Sequence, residues 1–351
     1  MSKQFYTALG KMQTWPKISV HFPSSLAYDD VILVPQVSAI TSRSHVDTTV
    51  RVGPYQLQKP IICAPMDTIS GEVMIRTLAN LGAIGTLPRG DLKKRLSLCS
   101  KFTKENISCI YAIGLKHAFE EAQHLKKVGA KIVLIDVAHG GLATVKKTAA
   151  EIKKKLGLFV IAGNIVTFTQ ALSYKRTGVD VARVGVGPGG MCKTRLVAGT
   201  GFPQLSAIFE TTTAGIPVIA DGGIREPGHF AKAIAAGAIA VMIGSLFAGT
   251  DETPGNVIEG KKKMVRGQAS EEYMRDNGIE PGEFRASEGV SLTVPLRGSV
   301  KHIIDSLMGG LRSAMTYAGA KTIKEFQKKS IFTIASQAAQ DEGRPWLRGM
   351  S

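Results

Sequence analysis

Cysteine is scarce in this sequence, which has four cysteines (Cys63, Cys99, Cys109 and Cys192) among 351 residues. So few cysteines in so long a chain do not provide the disulfide framework of a small secreted domain. None of them belongs to a Cys-x-x-Cys pair, which is the usual spacing of zinc sites and dithiol redox sites. We therefore expect free thiols in a reducing compartment.

Long hydrophobic runs are also missing. No stretch reaches the roughly 18 consecutive apolar residues that a membrane-spanning helix needs. Met1–Pro23 lacks the apolar segment of a secretory signal. Apolar residues nevertheless make up 44% of the chain, which is enough for a large core and excludes a disordered protein. The sequence predicts a soluble cytoplasmic protein that has no membrane partner.

Acidic residues are few relative to basic ones. The chain has 28 Asp and Glu and 44 Lys and Arg, which gives a net charge of +16. This excess indicates an anionic partner: a nucleic acid, an acidic membrane or a phosphorylated small molecule. Aromatic residues make up only 6% of the chain and form no stripe with the basic ones. That pattern disfavours a nucleic-acid partner, because aromatic and basic side chains bind single strands together.

Eight short apolar runs recur along the chain, with helical patterns between them. They are too short and too continuously apolar for amphipathic helices, and they are typical of strands buried on both faces. Eight β-then-α units in succession predict an α/β protein with a (β/α)8 TIM barrel, and a doubly wound open sheet is the alternative. The runs are Ile61–Ala64, Ala83–Leu87, Ser108–Ile113, Ile132–Asp136, Phe159–Ala162, Val181–Val184, Val218–Ala220 and Ala240–Ile243.

Three segments lie outside these units, and we treat the chain 1–351 as a single barrel domain. An N-terminal arm, Met1–Lys59, is rich in turn residues. Phe247–Val294 is polar and weakly periodic, so it is either disordered or an active-site lid, which we place at about 250–294. After a helical run, Val300–Leu311, a basic C-terminal tail covers about 321–351.

Glycines follow the seventh and eighth predicted strands, at Asp221-Gly222-Gly223 and Gly244-Ser245. In a barrel the chemistry lies at the carboxyl ends of the strands, and these two loops are the usual phosphate site. Glycine lets backbone N–H groups approach a phosphate closely, whereas Asp221 is suited to the hydroxyls of a ribose. The simpler interpretation is that the glycines only turn the chain.

The loop after the sixth strand, Gly185–Arg195, combines four glycines and a proline with Cys192. Its accessible carbonyls are suited to a monovalent cation. Lys193 and Arg195 lie beside Cys192, and nearby positive charge favours the nucleophilic thiolate. Thr194 is placed to relay a proton. The other cysteines lie in or near apolar runs and are interpreted as inert core residues.

Weaker candidates follow other strands or lie in the predicted lid. Met66 is placed to pack on a planar base, and Asp136 to hold a polar ligand. Arg285 offers a fork for phosphate and Glu288 a carboxyl group for acid–base work. His139 is interpreted as a structural histidine.

Together these stretches resemble the IMP dehydrogenase/GMP reductase family over most of the chain. The cysteine loop and the Asp-Gly-Gly strand end are specific in combination. The resemblance implies a barrel that binds a purine nucleoside monophosphate and a nicotinamide dinucleotide, and a loop cysteine that attacks purine C2. The further matching stretches are Tyr28–Pro35, Ser42–Ser44, Ala64–Thr68, Asp136–Gly140, Ala162–Asn164, Gly201–Ile208, Gly244-Ser245, Arg285–Gly289 and Gly309–Ser313.

Within the family the chain is most similar to GMP reductases. It has no regulatory insert after strand two, and the only lid tyrosine between Gly267 and Glu288, Tyr273, is not part of the arginine–tyrosine pair of IMP dehydrogenases. The resemblance implies NADPH-dependent reductive deamination of GMP to IMP and ammonia through a covalent Cys192 thioimidate. The alternative is an IMP dehydrogenase that oxidises IMP to XMP with NAD. A nucleotide-binding protein without turnover is a third hypothesis.

The resemblance also implies roles for individual residues, a potassium ion and a homotetramer. Catalysis is expected from Cys192, Thr194 and Glu288. The nucleotide is expected at Met66, Asp221, Gly222, Gly223, Gly244, Ser245, Gly267, Gln268, Ala269, Arg285, Ala286, Ser287 and Gly289. The NADPH cofactor is expected at Arg89, Asp136, Val137, Ala138 and Gln268, and from a neighbouring subunit at Ser42, Arg43, Ser313, Ala314, Met315 and Thr316. Potassium is expected at Gly187, Gly189, Cys192 and Arg195.

Six positions depart from the family pattern. Gly190 stands where a serine usually contacts the phosphate, and Lys193 replaces a threonine. Gln268-Ala269 replaces Met-Ser or Met-Gly, Arg89 replaces a lysine of the reductases, and Ser245 is more similar to the dehydrogenases. These departures bear on base selectivity and on the choice of cofactor.

Overall fold

The protein folds as a closed barrel of eight parallel strands, which confirms the predicted TIM barrel. The computed structural model describes residues 25–283 and 286–343 and the backbone of the strands Gln13–Trp15 and Ile18–Val20. Around the barrel the strand order is β1-β8-β7-β6-β5-β4-β3-β2, and a parallel bridge between Ile62 and Ile84 closes it. The strands are β1 (Ile61–Cys63), β2 (Gly85–Leu87), β3 (Cys109–Ile113), β4 (Ile132–Asp136), β5 (Phe159–Ile165), β6 (Val181–Val184), β7 (Val218–Asp221) and β8 (Ala240–Ile243).

A helix follows each strand and covers the outside of the barrel. Their apolar stripes pack on the strands, so both faces of the sheet are buried, as the continuous apolar runs predicted. None of the described helices has the length and apolarity to cross a membrane. The helices are α1 (Glu72–Asn80), α2 (Leu92–Lys104), α3 (Ala118–Lys127), α4 (Ala143–Leu156), α5 (Phe168–Thr177), α6 (Gln204–Thr213), α7 (Pro227–Ala235) and α8 (Val300–Tyr317), with a short helix Thr194–Val197 before α6.

Strand β5 is longer than predicted, because it continues past Ala162 to Ile165. A Cβ at Gly163 would lie 2.3 Å from the carbonyl oxygen of Arg183 on β6, so only glycine permits this approach. The pairing shifts register between Gly163 and Ile165. The extension turns Asn164 into the mouth of the barrel, where it becomes part of the site.

The N-terminal arm closes the amino-terminal end of the barrel. Strands Val50–Val52 and Tyr55–Leu57 form an antiparallel hairpin. Val52 and Leu57 are buried against strand residues such as Ile62 and Ile132. The opposite end, where the strands have their carboxyl termini, therefore stays accessible.

The segment after β8 is folded over its described residues. Strands Lys262–Arg266 and Ser291–Pro295 pair antiparallel, and helix Glu271–Asp276 lies between them in the chain. The described part of this polar segment is therefore folded and not disordered. We call residues 250–294 the lid.

The chain after the lid returns to the barrel. Helix α8 extends beyond Leu311 to Tyr317, and helix Ile323–Lys329 follows. Strand Phe332–Ile334 then pairs antiparallel with Val31–Leu33 of the N-terminal arm, and helix Gln337–Glu342 is the last described element. The N-terminal arm and the C-terminal tail are thus joined by strand pairing.

Candidate active site

A cavity of about 760 Å³ occupies the carboxyl ends of the strands, under the lid. Its size and mixed lining are those of a small-molecule site. It brings together residues that sequence analysis selected from six loops of the barrel and from the lid. The selected residues that line it are Met66, Arg89, Asp136, Val137, Ala138, Gly187, Gly189, Cys192, Thr194, Asp221, Gly222, Gly223, Gly244, Ser245, Gly267, Gln268, Ala269, Ala286, Glu288 and Gly289.

Cys192, Thr194 and Glu288 form a hydrogen-bonded chain on the cavity wall. The Cys192 thiol donates to Thr194 Oγ1 at 3.1 Å, and the Thr194 hydroxyl donates to Glu288 Oε2 at 2.7 Å. A nucleophile, a hydroxyl relay and a carboxylate are therefore connected in one line. Such an arrangement can form a covalent bond at an electrophilic carbon and move a proton beside it.

Backbone bonds between the cysteine loop and the lid hold this chain in place. Lys193 N donates to Glu288 O at 2.6 Å, and Val290 N donates to Met191 O at 3.1 Å. The N–H groups of Glu288 and Gly289 both donate to Ala269 O. Glu288 thus faces Thr194 because its own main chain is paired with the loop that carries Cys192.

The four cysteines differ in burial as predicted from their surroundings in sequence. Cys63, Cys99 and Cys109 are buried, whereas Cys192 is exposed to the cavity. Burial raises the pKa of the Cys63 thiol to about 12, and it also raises the pKa values of Cys99 and Cys109. Only Cys192 among the four is therefore accessible to a reagent.

This difference makes a prediction for alkylation. We expect iodoacetamide at mildly alkaline pH to modify Cys192 in the native protein and to leave the three buried thiols unmodified, because access and thiolate fraction both limit the reaction. Peptide mass spectrometry after a time course checks this. Unfolding in urea is the control, since it should make all four cysteines react. Native modification of Cys63 or Cys109 at the rate of Cys192 would contradict the described burial.

A charged network lies across the mouth of the barrel. Arg183 Nη1 donates to Asp136 Oδ1 at 2.5 Å, and Arg183 Nε donates to Asp221 Oδ2 at 2.9 Å. Arg89 Nε reaches the other oxygen of Asp136 at 3.2 Å, and Asn164 Nδ2 donates to Asp221 at 2.7 Å. Burial opposes the charge of Arg183, but Asp221 and Asp136 outweigh it and raise the pKa of the guanidinium. Arg183 therefore stays charged and bridges the Asp136 and Asp221 side chains.

Arg183 and Asn164 also line the cavity, but neither was predicted as a site residue from the sequence. The available signal for Arg183 was a single charge inside the apolar strand Val181–Val184. A charge at such a position is costly unless it is paired, and this cost indicates a function or a built network.

The pairing of Arg183 leads to a stability prediction. Arg183→Met leaves Asp136 and Asp221 without their shared partner, so we expect a loss of about 3–5 kcal/mol in the free energy of unfolding. Urea denaturation followed by circular dichroism measures it. Arg176→Met, on the exposed face of α5, is the matched control and should change stability by less than about 0.5 kcal/mol. Equal effects of the two substitutions would show that the network does not stabilise the barrel.

The glycines after β7 and β8 surround a small polar recess. Gly222 and Gly223 have φ values of +90° and +80°, which favour glycine. Within the described chain the N–H groups of Gly190, Gly222 and Gly223 donate no hydrogen bond, and all three line the cavity. A Cβ at Gly190 would lie 3.1 Å from Ser245 Oγ, so the Ser245 hydroxyl takes the space that a longer side chain would need. Unused amides and a hydroxyl can receive an anion.

The lid is fastened to the loop after β1. Gln268 Nε2 donates to the carbonyl of Pro65, and Arg266 pairs with Asp67 at 2.6 Å and with Asp276 at 2.5 Å. The guanidinium of Arg266 lies 5.4 Å from the centre of the Tyr273 ring, and Tyr273 lines the cavity. Burial raises the pKa of Tyr273, so its phenol is neutral. Arg266 was not among the site residues predicted from the sequence.

The predicted cation loop offers backbone oxygens to an ion. Among the described residues, the carbonyls of Gly187 and Cys192 accept no hydrogen bond, whereas the Gly189 carbonyl accepts the N–H of Cys192 at 3.0 Å. Arg195 does not line the cavity, since its guanidinium donates to the carbonyl of Phe202 at 2.6 Å. Carbonyl oxygens are the ligands that potassium prefers, so the loop is compatible with that ion.

Several selected residues lie away from the cavity of their own chain. Ser287 points its hydroxyl at the carbonyls of Ala269 and Gly289. Arg285 lies outside the described residues. The Arg43 carbonyl accepts from Arg312 of α8, so these two selected regions are adjacent. The selected residues on this separate surface are Ser42, Arg43, Ser313, Ala314 and Thr316.

One selected residue, Met315, has a buried side chain. Met315 was expected to contact the cofactor of a neighbouring subunit, but its side chain is fully buried in the hydrophobic core of its own chain. The reason is helical spacing, because α8 continues to Tyr317 and places Met315 on the same face as Leu311 and Met308. The Met315 side chain therefore packs α8 onto the core of its own chain.

Comparisons with known proteins identify the family of this chain. A family model described as the IMP dehydrogenase / GMP reductase domain matches residues 25–346. The GMP reductase of Ligilactobacillus salivarius is 37% identical over 86% of this chain and 94% of its own length, and the inosine-5'-monophosphate dehydrogenase of Cryptosporidium parvum is 32% identical over 88% and 91%. A cysteine variant of GMP reductase from Trypanosoma brucei, crystallised with guanosine 5'-monophosphate, has a TM-score of 0.87 and 26% identity, and covers 93% of this chain and 99% of its own. The chain is a member of the IMP dehydrogenase/GMP reductase family of oxidoreductases.

Proposed function

We propose that the protein is a GMP reductase, which converts GMP to IMP and ammonia with NADPH as reductant. The observation that carries the proposal is the Cys192–Thr194–Glu288 chain beneath the lid. It places a thiol and a carboxylate on one wall of a cavity that is large enough for a nucleotide and part of a dinucleotide. The GMP reductase relatives and the GMP complex of the Trypanosoma brucei enzyme support the choice of substrate.

The residues of the recess would hold the nucleotide. The unused N–H groups of Gly190, Gly222 and Gly223 and the Ser245 hydroxyl would bind the 5'-phosphate, and Asp221 would accept hydrogen bonds from the ribose. Met66 lies against Gly244 and offers an apolar surface for the purine. These contacts direct purine C2 towards Cys192, since the phosphate and the ribose fix the other end of the nucleotide.

Cys192 would attack C2 and form a covalent adduct, and the exocyclic amine would leave as ammonia. As Cys192 attacks, its thiol proton passes through the Thr194 hydroxyl to the Glu288 carboxylate, and Glu288 then gives this proton to the leaving amine. The thioimidate left on Cys192 is then reduced at C2, and the thiolate departs to release IMP. The lid covers the adduct and keeps water away from it.

The dinucleotide would lie beside Arg89, Asp136, Val137 and Ala138, and NADPH supplies the hydride when bound. Arg89 is only partly engaged, through one 3.2 Å bond to Asp136, so its guanidinium can take a phosphate. The carbonyls of Gly187, Gly189, Cys192 and Arg195 would hold potassium and thereby stiffen the cysteine loop. In this proposal the enzyme works in the cytoplasm as a homotetramer, in which Ser42, Arg43 and the exposed side of α8 approach a neighbour's cofactor.

An IMP dehydrogenase is the second candidate, and one observation favours it. Tyr273 lines the cavity and has Arg266 over its ring, so the lid does bring an arginine and a tyrosine together. However, Arg266 is paired with two carboxylates and the Tyr273 phenol is neutral, so neither is poised to activate water.

A single assay separates the two candidates. The purified protein is mixed with GMP and NADPH, and the loss of NADPH absorbance is followed together with ammonia release. The proposal expects one ammonia for each NADPH oxidised. Formation of NADH from IMP and NAD, without turnover of GMP, would establish the dehydrogenase instead. Binding of GMP without either reaction would favour a nucleotide-binding protein.

A further inference from the structure

A lysine is buried in the base of the lid without an acidic partner. Lys263 lies in the strand Lys262–Arg266 and is 5% exposed. Its ammonium donates to the carbonyls of Thr250 at 3.0 Å, Asp251 at 3.1 Å and Thr253 at 2.7 Å, and reaches the Thr253 hydroxyl at 3.3 Å. Lys263 forms no ion pair within the described chain. A buried charge that is satisfied by neutral oxygens alone is unusual.

These oxygens belong to one turn, Thr250–Thr253, and they surround the ammonium as they would a free cation. Carbonyl and hydroxyl oxygens at about 3 Å are the ligands that potassium-sized ions take. The Thr253 hydroxyl itself donates to Thr250 O at 2.7 Å, so its lone pairs are available to Lys263. Oxygen atoms thus coordinate the Lys263 ammonium in the way that they would coordinate a monovalent cation.

The turn that it organises connects several parts of the site. Glu252 caps α8 by accepting from Ser299 Oγ at 2.6 Å and Val300 N at 2.8 Å. The turn begins just after Ser245–Phe247, and the Thr250 hydroxyl donates to Phe247 O at 2.9 Å. Ser245 is the hydroxyl at the recess proposed for phosphate. The same lysine thus links the recess to the lid.

From Lys263 the lid strand runs to the residues that hold Glu288. Arg266 is anchored on Asp67, and beyond it the carbonyl of Ala269 accepts the N–H groups of Glu288 and Gly289. Lys263 and Ala269 therefore lie on one continuous stretch of the lid. Ala269 holds the backbone of Glu288, whose carboxyl oxygen lies 2.7 Å from Thr194 Oγ1.

We propose that Lys263 is a positioning residue, whose ammonium substitutes for a bound monovalent cation and sets the position of the lid and of Glu288. The kinetic consequence rests on the proposed function, but the structural consequence does not. Removing the ammonium should loosen the turn and the lid while the barrel strands keep their order. The lid would then spend less time with Glu288 against Thr194, so kcat should fall more than the KM for GMP rises.

The test compares Lys263→Met with Lys262→Met in the full-length protein. Lys262 is the neighbouring residue on the same strand and is exposed, so its substitution is a matched control. Hydrogen exchange followed by mass spectrometry should show amides of the turn, of the lid strand and of Glu288–Gly289 exchanging at least about tenfold faster in Lys263→Met only. Thr253→Ala, which removes one oxygen, should give a smaller change in the same peptides.

Chemical rescue supplies the second readout. Lys263→Ala leaves a space for an ammonium, so methylammonium should restore exchange protection of the lid and most of the lost kcat, whereas tetramethylammonium at equal ionic strength should not. Unchanged lid exchange in Lys263→Met, or equal loss of protection in the barrel strands, would overturn the proposal. Failure of methylammonium to restore protection in Lys263→Ala would also overturn it. Absence of GMP reduction by the wild-type protein would refute the proposed function alone, since hydrogen exchange needs no substrate.

Discussion

Cys192→Ala is expected to reduce kcat for GMP reduction by a factor of about 10⁴ or more, because the covalent route loses its only nucleophile. The cavity contains no second thiol, since Cys63, Cys99 and Cys109 are buried in the core. The substitution removes one sulfur atom and leaves the glycine recess and Asp221 unchanged. We therefore expect GMP to bind with an affinity within about threefold of wild type, which is less than 1 kcal/mol.

The measurement is stopped-flow NADPH oxidation together with calorimetric titration of GMP. A control is Cys192→Ser, which restores a polar atom but not the softness or acidity of a thiol and should remain as inactive as Cys192→Ala. A Cys192→Ala protein with a tenth of wild-type activity would refute covalent catalysis. A large loss of GMP affinity would instead show that Cys192 contributes to binding.

Glu288→Gln is expected to lower kcat by about 10²–10⁴-fold, which is the usual contribution of a positioned acid or base. Glutamine has nearly the same shape and can still accept the hydrogen bond of Thr194, so the lid keeps its contacts. It cannot exchange a proton, so the amine leaves slowly. The affected step should be ammonia release, measured in a single turnover before hydride transfer.

The matched control is Glu283→Gln, because Glu283 is an exposed carboxylate of the same lid. It should leave kcat unchanged within about twofold. Thr194→Val should reproduce the effect of Glu288→Gln, and the double variant should be little worse than either single variant, since the two groups act in one chain. Full activity of Glu288→Gln would show that the proton takes another route.

The barrel architecture was predictable because each strand is marked by a short apolar run of its own residues. Strands such as Ile132–Asp136 and Val181–Val184 are continuous apolar runs, and the structure gives them the predicted limits. The glycine loops were predictable for the same reason, since a glycine beside a buried strand indicates where the chain turns. Strand β5 was predicted too short, because Gly163 and Asn164 resemble a loop in sequence and are held in the strand by β6.

Contacts between side chains that are far apart in the chain were harder to predict from the sequence. Arg183 connects Asp136 and Asp221, which lie 47 and 38 residues away along the chain, and no local pattern marks such a pair. The sequence alone provided little evidence for Glu288, which was selected through the family resemblance. Only the fold shows that its carboxyl oxygen lies 2.7 Å from the Thr194 hydroxyl. Met315 was selected through resemblance, and only the full length of α8 shows that its side chain lies on the buried face.

The backbone pairing between the cysteine loop and the lid has a consequence for selectivity. Lys193 and Val290 bond across that junction, so the lid cannot lift without also withdrawing Glu288 from Thr194. Closure of the lid over the cavity and placement of Glu288 against Thr194 therefore occur together. A nucleoside without its phosphate contributes less energy to that event, so it should be discriminated against in turnover as well as in binding. The glycine recess, which would bind the phosphate, thus contributes to the rate of the reaction at purine C2 although it makes no contact with that carbon.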